Sequence, residues 1–212
     1  MRIGTQFFGE VDSIGAESIK TKFFILGMPL FPLESYYCLS SSYKSVDGFP
    51  LSLHNKSVLV TYLFWWLSLP LVLIGGLFIF IEKEIQYLLP VVFGVLVWFV
   101  VNRLAQLSRA EKRRRTVLKN IAGVGAPPEL LPQSFVQQTL LKLEDRWNAK
   151  NSDSSQKDWR NLAFIDDLEL DSLLLLFCLA SYSEKFDLAS NIMQRIETET
   201  DAHRNFDDSL LS

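Results

Sequence analysis

Two long stretches of apolar residues dominate the hydropathy pattern of the chain. The first, VLVTYLFWWLSLPLVLIGGLFIFI, extends from Val58 to Ile81, the second extends from Ile85 to Val101, and neither contains a charged residue. Because a helix rises 1.5 Å per residue, roughly 20 apolar residues match the ~30 Å hydrocarbon core of a bilayer. Only Glu82-Lys83-Glu84 lies between the stretches. The pattern therefore predicts a mainly α membrane protein with an antiparallel transmembrane hairpin, its spans covering residues 58–81 and 85–104.

Proline and glycine residues predict local features of these spans. Pro70 and Pro90 lack a backbone N–H and are expected to kink or locally unwind their helices. Gly75, Gly76 and Gly94 have no side chain and are expected to let the two helices approach closely. Neither apolar stretch contains Asp, Glu, Lys, Arg or His. Transporters and proton relays usually bury such a group in the membrane, so the pattern argues against that class.

Residues 1–53 are rich in β-branched and aromatic residues between turn-forming ones, which is typical of a small β-rich domain. Pro29 and Pro32 are expected at a bend, because proline is confined to sheet edges and strand starts. The predicted strands are Ile3–Val11, Ile19–Leu26 and Leu33–Leu39, with a turn at Asp12–Gly15, a bend at Gly27–Pro32 and a loop over Ser40–Lys56.

Helical patterns predominate after the hairpin, which occupies residues 54–104. In the segment 105–128 we expect the second helix to continue from Leu104 to Ile121 and to stop at a hinge over Gly123–Pro128, because Pro-Pro cannot lie within a helix. Residues 129–200 are predicted to form a helical cytoplasmic domain, and the polar, acidic residues 201–212 are expected to fray.

Three helices are predicted within residues 129–200. The last two would form a hairpin whose apolar face is covered either by the first or by a partner protein. They are Gln133–Asn148, with Phe135, Val136, Leu140, Leu143 and Trp147 on one face; a buried helix that contains Leu173–Ala180, too short to cross a membrane; and Glu184–Glu199, with Phe186, Ala189, Ile192, Met193 and Ile196 on one face.

Charge predicts the orientation of the spans. The segment 105–128 contains six basic residues and one acidic residue, and Arg103 precedes it, whereas the turn between the spans contains Lys83 alone as a basic residue. Lys and Arg concentrate on the cytoplasmic side of membrane proteins. Both termini are therefore predicted in the cytoplasm.

Two further features agree with this orientation. The N-terminal sequence MRIGTQFFGEVDS has no continuous apolar region, so a cleaved secretory signal is not expected and the first span would direct insertion. Cys38 and Cys178 are the two cysteines of the chain. In a reducing compartment they are predicted to be buried free thiols, not a disulfide framework.

A motif in the N-terminal segment resembles one in small, uncharacterised bacterial membrane proteins. It consists of Thr21-Lys22-Phe23-Phe24-Ile25-Leu26, then Met28-Pro29-Leu30-Phe31-Pro32-Leu33 and Ser35-Tyr36-Tyr37. The family pattern has a charged or polar pair, a hydrophobic strand, an "IPLIPL" segment and "SYR". The resemblance covers about forty residues, implies a bacterial membrane protein, and brings no activity or catalytic residue with it. We expect the location to be the bacterial inner membrane.

Six basic residues after the second span are the candidate functional residues: Arg109, Lys112, Arg113, Arg114, Arg115 and Lys119. Each basic group close to an anionic membrane surface contributes about 1 kcal/mol of binding free energy, which predicts contact with acidic lipid headgroups or with a protein partner. The positive-inside rule alone would also explain the cluster. Nucleic-acid binding is not expected, because the net charge of −8 over residues 129–212 would compete for the same groups.

Acidic residues form two groups near the C-terminal end. They could dock on Arg113–Arg115, bind a basic partner or hold a divalent cation, although the first group lacks the glycine and final Glu of an EF-hand. An acidic run at a solvated helix start is the simpler interpretation. The groups are Asp166, Asp167, Glu169 and Asp171, and then Asp201, Asp207 and Asp208.

No pattern in the chain predicts a cofactor, a metal or a catalytic site. His54 and His203 have no ligand partners at zinc spacing, Gly123-Val124-Gly125 lacks the third glycine of a dinucleotide fingerprint, and no nucleophile elbow is present. The sequence therefore predicts a non-enzymatic accessory or scaffold subunit that binds other proteins, or copies of itself, at the cytoplasmic membrane face. An oligomeric pore or transport component and a membrane-anchored enzyme of unrecognised type are the alternatives.

Overall fold

The computed structural model describes residues 3–41, 46–82, 85–150, 159 and 168–210. The chain divides into two compact units, Met1–Lys112 and Arg113–Ser212. The first unit contains a β-sheet followed by two long apolar helices, and the second is helical; the helix Arg109–Ala122 includes the boundary between the units.

A four-stranded antiparallel sheet begins the first unit. Strands β1 (Ile3–Ile14), β2 (Glu17–Leu26), β3 (Pro29–Ser41) and β4 (Val46–Leu51) pair in chain order. The predicted β-rich segment and its three strands are confirmed. The fourth strand corrects the loop predicted over Ser40–Lys56. Its sequence, VDGFPL, has weak strand propensity, and pairing with β3 decides its conformation.

The first turn of the sheet is Gly15-Ala16, and the prediction of a turn over Asp12–Gly15 is wrong in its extent. Ile14 pairs with Glu17 across this turn. The pairing of β1 with β2 is irregular between Phe8 and Ile14, and Asp12 there has a φ of +56°, a conformation that Asp adopts more readily than most residues. These turn-like residues thus form a bulged part of the strand.

The β2–β3 hairpin turns at Gly27-Met28, so the bend predicted over Gly27–Pro32 is shorter than expected. Gly27 has a φ of +79°, and the Leu26 N–H donates to the Met28 carbonyl over 3.1 Å. Pro29 and Pro32 already belong to β3. Because β4 pairs only from Ser35 onward, both prolines lie where one edge of β3 has no neighbouring strand, as their missing N–H groups require.

Two long apolar helices follow the sheet: α1 (Asn55–Glu82) and α2 (Ile85–Ala105). Both are long and apolar enough to cross a membrane, and only 11% of the most apolar window of each is buried within the structure. Gly75 lies against Val91 and Gly94 against Val72, a register that requires antiparallel packing. The predicted pair of long antiparallel helices is confirmed.

Glycines at two of three predicted positions bring these helices together. A Cβ on Gly75 would lie 2.8 Å from Val91 Cγ2, and one on Gly94 would lie 2.8 Å from Val72 Cγ2. The Ser68 hydroxyl donates to the Gly94 carbonyl over 2.9 Å at the same contact. Around Gly76 a Cβ would meet nothing within 4 Å, so the close approach predicted there is wrong.

Pro70 unwinds α1 just before its own position. Residues Leu63–Ser68 form a π-helical stretch, after which the next N–H donates to the Phe64 carbonyl, five residues earlier. Because Pro70 has no N–H and its ring crowds the carbonyl four residues back, a wider turn accommodates it. Pro90 lies in the first turn of the α-helical part of α2, which starts at Leu88, where proline is tolerated.

The continuous helix predicted from Leu104 to Ile121 is wrong, because α2 ends at Ala105 and a new helix, α3 (Arg109–Ala122), begins after a break. The Glu111 N–H donates to the Ser108 hydroxyl over 3.2 Å. Ser-x-x-Glu is the sequence signature of a capped helix start, and it initiates α3. The predicted end of the helix before Gly123 is confirmed, with Gly123 at a φ of +85°.

The second unit is helical, as predicted. Its main helices are α4 (Gln133–Lys150), α5 (Leu170–Tyr182) and α6 (Phe186–Leu210). Helix α5 is buried along most of its length, and both α4 and α6 pack against it. The predicted buried helix is confirmed, and α4, one of the two covers predicted for the helix pair, packs against α5.

Of the ten residues predicted on the faces of α4 and α6, five are buried and four are half-buried. Thr139 joins the buried face of α4, and Phe186 at the start of α6 is 43% exposed although it was predicted to face the core. Helix α6 continues to Leu210 where fraying is expected, because a nucleated helix propagates readily. The predicted face residues that are buried are Leu143, Trp147, Ala189, Ile192 and Ile196.

Candidate functional site

A buried network of hydroxyl groups joins the sheet to the start of α1. Thr21 Oγ1 lies 2.8 Å from Ser35 Oγ and donates to Ser57 Oγ over 2.9 Å, so that β2, β3 and α1 meet at one point. The Ser57 hydroxyl donates to the Gly9 carbonyl of β1 over 2.5 Å. All three hydroxyl-bearing residues are fully buried, and burial of polar groups requires such pairing.

Gly9 and His54 complete this junction. A Cβ at Gly9 would collide with the Ser57 carbonyl and with Thr61 Oγ1, so only glycine allows the close approach. The His54 side chain accepts from the Ser57 N–H as the cap of α1, and the His54 N–H donates to Ser35 Oγ over 2.9 Å. The Ser57 hydroxyl is buried and donates to the Gly9 carbonyl. The His54 ring contacts the backbone N–H of Ser57 and not its hydroxyl, so the two residues form a helix cap and not a Ser–His nucleophile.

A charged pair lies beside this junction. The Lys56 ammonium group contacts the Asp12 carboxylate, whose side chain is 8% exposed, and donates to the Gln106 carbonyl at the end of α2 over 3.3 Å. A buried carboxylate needs such a partner because desolvation of an unpaired charge is costly. Lys56 thus connects the bulge of β1, the start of α1 and the end of α2.

The β2–β3 hairpin is attached to α1 further along the helix. The Tyr62 hydroxyl donates to the Leu30 carbonyl over 2.7 Å, and Trp66 Nε1 donates to the Pro29 carbonyl over 3.0 Å. The Tyr62 ring also packs edge-to-face against Phe23, with centroids 5.7 Å apart. The sheet therefore contacts α1 from its start to Trp66.

The six predicted basic residues differ in their exposure to solvent. Arg109 and Lys112 are exposed and belong to the first unit. In the second unit Arg113 is exposed, Arg114 and Lys119 are half-buried, and Arg115 is only 6% exposed. Arg115 as folded therefore offers little surface to a lipid or a partner protein.

Acidic groups do reach the basic segment within the second unit. Arg113 Nη1 lies 3.6 Å from Glu197 Oε1 of α6, an ion pair with an acid that the sequence interpretation did not single out. Glu169 pairs with Lys150 over 3.2 Å. Asp171 is exposed in the first turn of α5. The other predicted acids lie outside the described residues, either entirely (Asp166, Asp167) or with their side chains (Asp201, Asp207, Asp208).

Within the described ranges, no group of three or more His, Cys, Asp and Glu side chains could hold a metal ion. Cys38 and Cys178 are free and buried, as predicted. Burial raises the pKa of the Cys38 thiol and raises that of Cys178 to about 12. Since the thiolate is the reactive form, neither cysteine is a nucleophile near neutral pH.

An apolar groove of about 370 Å³ lies between α1 and α2 and extends from Trp66 to Tyr87. Its lining includes Trp66, Pro70, Ile74, Phe78 and Tyr87, and the last two rings stack with centroids 5.1 Å apart. Enzyme sites place several polar groups around an apolar pocket, and this groove has an almost wholly apolar lining.

No protein-family model, curated protein or solved structure matches the chain. The resemblance of the N-terminal motif to bacterial membrane proteins thus stays a prediction. Sequence reasoning missed the junction of Thr21, Ser35 and Ser57, because single hydroxyl residues carry no signal until the strands are paired. The Ser108–Glu111 cap was readable from its spacing.

Proposed function

We propose that this chain is a two-span integral membrane protein and that α1 and α2 form its transmembrane hairpin. The observation that carries the proposal is the exposure of their apolar surface: only 11% of each apolar window is buried. A core helix of a water-soluble protein would be largely covered, since burial of apolar area contributes about 25 cal/mol per Å². A bilayer would cover this surface instead.

The orientation follows from the basic residues. Arg103, Arg109 and Lys112 lie at or after the end of α2, and all three are exposed. Positive charge of this kind is retained on the cytoplasmic side. Both termini are then cytoplasmic, and the resemblance of the N-terminal motif supports a location in a bacterial inner membrane.

As to role, the protein acts as an accessory or scaffold subunit that binds another protein at the cytoplasmic face. Two features favour this role over catalysis: the groove beside α1 is apolar, and Leu141 on α4 is 62% exposed. The exposed members of the basic segment (Arg109, Lys112 and Arg113, with the half-buried Arg114 and Lys119) contact anionic headgroups or that partner.

The test is purification of the full-length protein in a mild detergent, with identification of proteins recovered in stoichiometric amount. Leu141→Asp is expected to abolish recovery of the partner, because it places a charge in an apolar contact. Gln138→Asp adds the same charge at an exposed position of the same helix and should retain it. Recovery of a homo-oligomer alone, or equal recovery with both variants, would contradict the accessory role at this surface.

A further inference from the structure

The tip of the β2–β3 hairpin, defined as residues 26–33, is unusually apolar for the end of a sheet. Residues 23–33, FFILGMPLFPL, contain no charged side chain. Among the described residues of the four strands and their turns, every exposed large apolar side chain lies in this tip: Leu26, Met28, Phe31 and Leu33, with Phe31 65% exposed. The large apolar residues in the rest of the described sheet are buried or half-buried, so this exposed cluster needs a cover of its own.

Among the described residues of the sheet, the charged ones lie in the part away from the tip. Lys20 and Glu10 form an ion pair over 3.2 Å, and Asp12 pairs with Lys56. The last charges before the tip are Lys22 and Glu34, which are cross-strand neighbours. Over its described residues, the sheet therefore has one charged part and one uncharged part, with the boundary at Lys22.

Attachment to α1 fixes the depth of the tip. At 1.5 Å per residue, α1 extends about 39 Å from Lys56 to Glu82, close to the ~40–45 Å thickness of a bilayer with its headgroups. The ~30 Å hydrocarbon core then begins about 5 Å beyond Lys56. Tyr62 and Trp66 lie about 9 and 15 Å along the axis from Lys56. Their hydrogen bonds to Leu30 and Pro29 hold the tip level with the first third of the core.

The backbone of the tip suits surroundings without water. A nonpolar medium requires that backbone donors and acceptors be paired within the protein. Pro29 and Pro32 have no backbone N–H, so neither leaves an unpaired donor in the part of β3 that β4 does not cover. Two carbonyls of the tip accept from Tyr62 and Trp66, and the Met28 carbonyl accepts from the Leu26 N–H.

From these observations we infer that the β-hairpin tip is a third membrane element, which enters the acyl region of the cytoplasmic leaflet beside α1 without crossing the bilayer. Its partner is lipid: the exposed side chains at 26, 28, 31 and 33 contact acyl chains. The inference rests on the proposed function, since the depth of the tip is set by a membrane-spanning α1. The sheet is then partly embedded in the bilayer and is not a separate domain surrounded by water.

Nitroxide labels on single introduced cysteines test the inference in the full-length protein reconstituted into liposomes. Three positions are compared by their collision rates with oxygen, which concentrates in lipid, and with a water-soluble nickel chelate. Phe31→Cys reports the tip, Ser40→Cys reports an exposed site at the other end of the same strand, and Leu73→Cys reports an exposed site midway along α1. Wild-type protein, whose two thiols are buried, provides the blank.

The expected result is that labels at Phe31 and Leu73 collide with oxygen and are several-fold more protected from nickel than the label at Ser40. Nickel access at Phe31 with protection at Leu73 would overturn tip insertion and leave the transmembrane α1 intact. Nickel access at both would overturn the proposed function itself. Protection of Phe31 from both reagents would mean that a second copy or another protein covers the tip, which also overturns the inference. Leu33→Cys repeats the measurement at a second tip position.

The attachment itself has a matched control. Trp66→Phe removes the donor to the Pro29 carbonyl, while Trp98→Phe alters a tryptophan of nearly equal exposure on α2 (50% and 49%). The Phe31→Cys label should become more mobile and more accessible to nickel with Trp66→Phe and stay unchanged with Trp98→Phe. Equal behaviour of the two variants would show that Trp66 does not position the tip.

Discussion

Asp12 connects three elements of the first unit through one carboxylate. It lies in the bulge of β1 with a φ of +56°, and its partner Lys56 also donates to the end of α2. Neither residue is conspicuous in the sequence. A single Asp in a turn-like segment and a Lys before a span carry no signal of their own in the sequence. Their pairing depends on the bulge of β1, which places the Asp12 carboxylate beside α1.

Removal of this charge should destabilise the first unit. Asp12→Asn retains a residue that tolerates positive φ and is expected to lower the free energy of unfolding by about 1 kcal/mol, since Lys56 is one-third exposed and partly screened. The measurement is unfolding in mixed detergent micelles. As a control, Glu10→Gln breaks the more exposed ion pair with Lys20 and should lower the free energy of unfolding by less than about 0.5 kcal/mol. Equal losses in the two variants would contradict a special role of the Asp12–Lys56 pair in stability.

The glycines of the helical hairpin permit a similarly matched comparison. Gly94→Ala places a methyl group 2.8 Å from Val72 Cγ2 and 3.1 Å from the Ser68 carbonyl, and overpacking of this kind costs about 1–3 kcal/mol. Gly76→Ala meets open space and should cost nothing, because alanine favours the helix. Unfolding in mixed detergent micelles measures the free energy of unfolding of both variants. A stable Gly94→Ala variant would mean that the helices do not approach as closely as described.

At the scale of elements, periodicity and length predicted the apolar helices, the buried α5 and the β-rich segment. Predictions failed where a local signal competed with a tertiary one. Strand β4 forms from a weak strand sequence because β3 offers it a ladder. The break before α3 was missed because the basic residues after α2 resemble a helix continuation, although Ser108 and Glu111 show the capping spacing.

The Ser108 cap can be tested by hydrogen exchange. Ser108→Ala removes the acceptor for the Glu111 N–H and should cost about 1 kcal/mol at the start of α3, which corresponds to roughly fivefold faster exchange of its first-turn amides. Ser108→Asp retains an acceptor and should leave exchange near the wild-type rate. Unchanged exchange in Ser108→Ala would indicate that the helix starts without the cap.

The basic segment makes a prediction about lipid. Lys112→Gln should weaken retention of anionic lipid in nanodiscs by roughly fivefold at low salt, because one basic group at the surface contributes about 1 kcal/mol. Lys142→Gln removes the same charge from an exposed position on α4 and serves as the control. The difference should fade at high ionic strength. Equal loss of lipid in both variants would show that lipid retention depends on the net charge of the protein and not on contact with the basic segment.

For the whole molecule, the sequence predicted the main parts but not how the first unit is joined. Residues 1–53 were predicted as a small β-rich domain with no stated contact to the spans, whereas the strands of this domain contact α1 from its start to Trp66 through hydroxyl, indole and phenol hydrogen bonds. Such bonds depend on residues far apart in the chain, such as Pro29 and Trp66, and no local pattern records them. The predicted lipid role of the basic cluster likewise excludes Arg115, whose burial depends on tertiary packing.

The central claim is a membrane-spanning α1–α2 hairpin with both termini in the cytoplasm, and topology reporters test it most directly. A reporter active only outside the cytoplasm is inserted at Lys83 in one fusion and attached after Ser212 in another. With Arg103 and the basic segment retained inside, the first fusion should be active and the second silent. Activity at Ser212 with silence at Lys83 would invert the topology, and silence at both positions would contradict the transmembrane hairpin.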